Sequence, residues 1–141
     1  MRKVFEKVNV YIYFVIPFLV CLIYYFLMIS NLLNLQAIDN YNNHKFDFVV
    51  TLLGTLLTIY GFMMMLPENK FRKALRIYKH DEIINNTIFI GILSSLIFIL
   101  MYLIGYESWL HDLFFLVTIS ETTIATIKIF KILRYSAKSV S

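Results

Sequence analysis

Four long apolar runs dominate this sequence, and each is long enough to cross a lipid bilayer as a helix. A hydrocarbon core about 30 Å thick takes about 20 helical residues at about 1.5 Å each. The runs at about 8–30, 46–66, 83–105 and 110–133 meet that length. Asn9 is the only strongly polar interior residue of the first, and Pro67 ends the second. A backbone in lipid must satisfy its own hydrogen bonds, which helices do locally. A membrane β-barrel would need more segments, each alternating in polarity, and these runs are continuous. The expected fold is therefore all-α: a polytopic membrane protein of four transmembrane helices, forming a single domain over residues 1–141.

Composition agrees. Hydrophobic residues make up 60% of the chain and charged residues 16%. Soluble domains carry about 25% charged residues. A domain this small could not hide so much apolar surface from water. The net charge of +4 does not point to nucleic acid, because the basic residues flank the apolar runs. The first run is longer than the roughly 7–15 residues of a signal-peptide core. It is expected to stay as a helix that directs its own insertion.

The basic residues also set the orientation. If the N-terminus is cytoplasmic, the inner pieces hold Arg2, Lys3, Lys7, Lys70, Arg72, Lys73, Arg76, Lys79, Lys128, Lys131, Arg134 and Lys138. Only Lys45 of the 13 Lys and Arg falls outside. Such one-sidedness is the positive-inside pattern. It predicts a multi-pass protein of the cell membrane with both ends cytoplasmic. Asp39, Asp47, Glu107 and Asp112 lean to the outer side. Tyr11, Tyr13, Tyr60, Tyr78, Tyr106 and Trp109 fall near run ends, as interfacial aromatics do.

The connections differ in character. The inner one, 67–82, places Phe71, Ala74, Leu75 and Tyr78 on one helical face. Lys70, Arg72, Lys73, Arg76 and Lys79 fill the others. That is a basic amphipathic cytoplasmic segment between helices two and three, suited to an anionic leaflet. The outer stretch Asn31–Lys45 is rich in Asn, without Pro or Gly, and long enough to cover the bundle mouth or meet a partner. The second outer loop, Tyr106-Glu107-Ser108, is so short that helices three and four must be antiparallel neighbours.

Glu121 is the sharpest feature. It is the twelfth of the 24 residues of the fourth run. Insertion scales put a central acid at about +2.5–3.5 kcal/mol. Either it stays protonated, since low dielectric disfavours the charged form, or it faces a polar interior. Thr118, Glu121, Thr122 and Ala125 share one face, and Lys128 follows two turns later, about 10 Å along the axis. The set Glu121, Thr118, Thr122 and Lys128 is thus a candidate intramembrane polar site, competing with a plain helix-to-helix hydrogen-bonding role.

Small residues mark packing faces. Thr51, Gly54, Thr55, Thr58 and Gly61 line helix two. Thr87, Gly91 and Ser95, with Ser94 beside them, line helix three. Small-xxx-small spacing lets helices approach closely in lipid. Packing within the bundle is the expected use, with a pore or a homo-oligomer seam as the alternative. Pro17 should bend helix one. Asn85 and Asn86 suit the inner end of helix three, and Asp112 the positive end of helix four. Met63, Met64 and Met65 read as soft apolar contacts. Cys21 is the sole cysteine, which rules out an internal disulfide.

No catalytic or phosphate-binding motif is present. His44, His80 and His111 are scattered, so neither a metal site nor a cofactor is expected. An enzyme is the least expected class. Three readings remain. One is a protein that binds a membrane-active partner, such as an immunity or resistance factor against a bacterial peptide or toxin. Another is a proton- or cation-coupled transporter or channel component using Glu121. The last is an accessory subunit of a membrane complex. The expected partners are the bilayer, anionic lipid of the cytoplasmic leaflet, and a membrane protein, peptide or second copy.

Overall fold

A computed structural model describes residues 11–65, 80–106 and 108–140, with the side chains of residues 36, 80 and 135–140 left aside. The described residues form four helices: α1 (Ile12–Ile29), α2 (Asp39–Met65), α3 (His80–Leu103) and α4 (Trp109–Val140). A 3-10 turn at Leu35–Ala37 lies between α1 and α2. All four helices are long and apolar enough to cross a membrane, over Ile12–Ile29, Asp39–Met65, Asp81–Leu103 and Trp109–Arg134. The predicted basic segment with Lys70, Arg72, Lys73, Arg76 and Lys79 lies outside the described residues, as does Glu107.

Local chemistry sets the helix ends. α1 stops in a left-handed residue, Asn31 at φ 55°. The amide of Asn31 donates to the Met28 carbonyl at 3.1 Å, and that of Leu32 to the Leu27 carbonyl at 3.0 Å. This pair of bonds satisfies carbonyls the helix end would leave open, and Asn tolerates the conformation. α3 ends the same way around Gly105 at φ 72°. There Gly105 donates to Tyr102 and Tyr106 to Met101, both at 3.0 Å. The chain then turns at once into α4, where Ser108 accepts from the His111 amide through its carbonyl at 2.8 Å. The tight reversal makes α3 and α4 antiparallel neighbours, as the short outer loop predicts.

Two boundaries differ from the sequence expectation. α2 begins at Asp39, well before the apolar run at 46, because the Asn-rich stretch lacks Pro and Gly and carries Asp39 in its first turn, where acid suits the helix dipole. Much of the supposed outer loop is therefore helix. α4 runs past its apolar stretch to Val140. α1 continues through Pro17, which is buried.

α4 is the organising helix, since it packs against all three others. α3 is its most extensive neighbour, α2 lies against both, and α1 docks chiefly on α4. The core has two apolar zones. At one end Leu56, Ile59 and Met63 of α2 meet Ile84 and Ile88 of α3 and Ala125, Ile129 and Ile132 of α4. Toward the other, Val49, Phe98 and Phe115 pack with Leu35, Tyr41 and Ile99. Met64 and Met65, unlike Met63, are exposed.

Candidate functional site

Between the two apolar zones lies a polar layer built by α3 and α4. Gly91, Ser94 and Ser95 supply one side, and Thr118, Glu121 and Thr122 the other; all are buried. Gly91 is the point of closest approach. A Cβ there would lie 2.8 Å from Leu56 Cδ1 of α2 and 3.1 Å from Glu121 Cβ of α4. Three helices thus converge where the sequence offers no side chain, which is what small-residue packing achieves without help from the hydrophobic effect.

Glu121 has no solvent-accessible surface. Both carboxyl oxygens are buried, and neither has a hydrogen-bond partner among the described residues. The hydroxyls nearby are occupied differently. Thr118 donates to the Phe114 carbonyl at 2.9 Å, Thr122 to Thr118 at 2.8 Å, and Ser95 to Gly91 at 2.7 Å. Ser94 and Thr118 also bridge the two helices at 3.0 Å. Each hydroxyl therefore gives its proton to a backbone carbonyl or to another hydroxyl. What remains on offer around Glu121 is mostly lone pairs. For the alternative sequence reading, in which Glu121 hydrogen-bonds helix four to another helix, the described residues supply no such bond. Lys128, half-buried two turns on, does not hydrogen-bond to it either.

The candidate packing residues divide. Thr87, Gly91 and Ser95 are buried in the bundle, Thr87 donating to Ile83 at 2.8 Å. The helix-two set does not pack inside. Gly54 and Thr58 are exposed, Gly61 is half-buried, and a Cβ on either glycine would meet nothing within 4 Å. The physical reason is rotational. The buried face of α2 is Val49, Leu56, Ile59 and Met63, and the small residues lie away from it.

A second polar cluster, near the α3–α4 turn, was not foreseen. Asp112 has no accessible surface. It accepts from the Tyr24 hydroxyl of α1 at 2.9 Å and the Tyr41 hydroxyl of α2 at 2.7 Å. Lys45, placed in a loop by the sequence reading, is only 3% exposed. Its ammonium donates to Asn42 Oδ1 at 3.3 Å and lies 5.5 Å and 5.9 Å from the Tyr41 and Tyr102 ring centres. His111 stacks on Phe98 with ring centres 3.9 Å apart. One end of the bundle is therefore tied through α1, α2, α3 and α4 together. The run-end tyrosines that sequence alone singles out do not include Tyr24 or Tyr41, so only Asp112 of this hydrogen-bonded set is marked in the sequence, as a first-turn acid. Among the described residues no group of three His, Cys, Asp or Glu could hold a metal ion.

Comparison with protein families, with curated proteins and with solved structures finds no match to this chain. The reading of function rests on the site alone.

Proposed function

We propose that this chain is a polytopic membrane protein with both ends cytoplasmic, and that Glu121 is a proton- or cation-handling group in a transporter or channel component. The observation that carries the reading is a carboxyl with no accessible surface and two unpartnered oxygens, set in a hydroxyl-lined layer mid-helix. An acid in that position is costly to insert. Among the described residues it makes no hydrogen bond that would offset the cost. The surrounding hydroxyls have spent their protons on carbonyls, so their free lone pairs suit an acid that carries a proton and can pass it on.

Proteoliposome flux tests the reading. Wild-type protein should move protons or a monovalent cation down an imposed gradient, and Glu121→Gln should not. Equal flux in the two, or none in either, removes the proposal.

A second reading, a binding or protective protein, is favoured by the outward small-residue face of α2, where a Cβ on Gly54 or Gly61 meets nothing within 4 Å among the described residues. Expression in a host sensitive to a peptide or toxin encoded nearby should then confer protection. Substituting Gly54 and Thr58 with leucine should abolish it. An accessory-subunit role would instead show as a stable co-purifying membrane protein.

A further inference from the structure

The outward face of α4 beyond the polar layer carries its own pattern. Thr126, Ile127, Phe130, Lys131 and Arg134 recur on one side of the helix and line a groove of about 260 Å³. Phe130 is 70% and Ile127 50% exposed. The Thr126 hydroxyl is already satisfied, donating to the Thr122 carbonyl at 2.8 Å. The groove thus offers two large apolar side chains and two cations, and no free polar donor deeper down.

Depth along the helix gives the pattern its meaning. If Glu121 marks the bilayer centre, Ile127 and Phe130 lie about 9 and 14 Å from it at about 1.5 Å per residue. Lys131 lies at about 15 Å and Arg134 at about 20 Å. Half the hydrocarbon thickness is about 15 Å. The apolar pair therefore sits at acyl-chain depth, and the cations sit at the phosphate level. At the same end Asp81 and Glu82 lie in the first turn of α3, while Lys131 and Arg134 are exposed on α4. Plain snorkelling would explain two cations near a membrane surface. It does not explain why they close the top of an apolar groove.

We propose that this groove binds one anionic phospholipid of the cytoplasmic leaflet. Its phosphate lies between Lys131 and Arg134, and an acyl chain runs along Phe130 and Ile127. Basic pockets on the cytoplasmic side of membrane helices recognise acidic headgroups by charge, and Arg adds a fork that matches phosphate oxygens. The site rests on the membrane orientation proposed above, and it is separate from the basic segment at 70–79.

The test uses the full chain in nanodiscs of equal phosphatidylcholine and phosphatidylglycerol, with native mass spectrometry of the lipid retained on extraction. Wild type should keep phosphatidylglycerol preferentially. The K131Q/R134Q variant should lose that preference by on the order of tenfold, while the charge-preserving K131R/R134K variant keeps most of it. Glutamine at Lys70, Arg72, Lys73, Arg76 and Lys79 should leave it intact. Equal retention by wild type and K131Q/R134Q overturns the site. So does loss of the preference only in the 70–79 variant, or displacement of the lipid by inorganic phosphate. If K131R/R134K fails along with K131Q/R134Q, phosphate recognition by these side chains is also overturned. Reporter tags at residues 1 and 141 test the orientation independently, so failure of the lipid site and failure of the topology give different results.

Discussion

At the scale of the residue, Gly91 and Glu121 form one unit. Gly91 allows α3 to seat against Leu56 and Glu121, so a methyl group there must displace the tip of Leu56 and press on Glu121 Cβ. Gly91→Ala should destabilise the protein by about 1–3 kcal/mol, the usual cost of overpacking. In a Leu56→Ala background the same substitution should cost less, because the nearest atom has been removed. Gly54→Ala meets open space and should stay within about 0.5 kcal/mol of wild type. Unfolding titrations in detergent check all three. Glu121→Gln should change stability by less than about 1 kcal/mol, since the carboxyl has no hydrogen bond to lose. If it melts the protein, Glu121 is a structural tie and its proposed transfer role falls. The sequence shows the expense of Glu121 directly, because depth in an apolar run needs no tertiary information. It does not show that Gly91 faces it, since that depends on how α3 is rotated, and an all-round apolar helix carries little rotational signal.

At the scale of the element, the Asp112 cluster decides how α1 is held. α1 is the least buried of the four spans, with 11% of its most apolar stretch buried against 44% in α3 and α4. Its buried polar contact is the Tyr24 hydroxyl on Asp112. Tyr24→Phe should therefore cost about 0.6 kcal/mol, the mean for interhelical hydrogen bonds in a membrane protein, and no more than about 1.7 kcal/mol. Its effect should be confined to α1, read as faster cross-linking or spin-label motion there. Asp112→Ala should cost more than either Tyr24→Phe or Tyr41→Phe, because it removes the acceptor of both the buried Tyr24 hydroxyl and the part-buried Tyr41 hydroxyl. Equal effects in the three variants would mean that Asp112 does not gather the helices. From the sequence Asp112 reads as a first-turn acid, which is correct as far as local structure goes. Its partners lie 88 and 71 residues away, and no periodicity announces them. Lys45 was misplaced for a related reason. A polar residue beside an apolar run reads as loop, whereas the Tyr41 and Tyr102 rings and the Asn42 amide oxygen surround the ammonium in the helix that buries it.

At the scale of the whole molecule, hydropathy made the number of helices legible and one short loop made the α3–α4 pairing legible, but not the other contacts, the depth of each helix in the bundle or its rotation. Apolar runs in lipid are long for a reason independent of packing, so four runs give four helices. The face each run turns inward is decided by side-chain fit alone, and α2 shows the consequence: its small residues, the obvious packing face in sequence, turn out of the bundle. The chain's threading follows from simpler physics. Two backbone bonds at Gly105 and Tyr106 end α3, and α4 starts at Trp109, so in the proposed bilayer the two helices cross in opposite directions. Four helices are able to span; if all four cross, as proposed, the two ends of the chain lie on the same side, the one that carries most of the basic residues. A cytoplasm-active reporter fused at either end, or inserted at 67–79, should therefore be active. An export-active reporter inserted at 32–37 or 104–108 should be active too. Moving the charge bias should move the chain: replacing Lys70, Arg72, Lys73, Arg76 and Lys79 with glutamine while adding lysines at 32–37 should produce an inverted population. If that variant keeps the wild-type reporter pattern, the orientation is set by something other than the basic residues. If the wild-type ends report from opposite sides, one of the four helices does not cross.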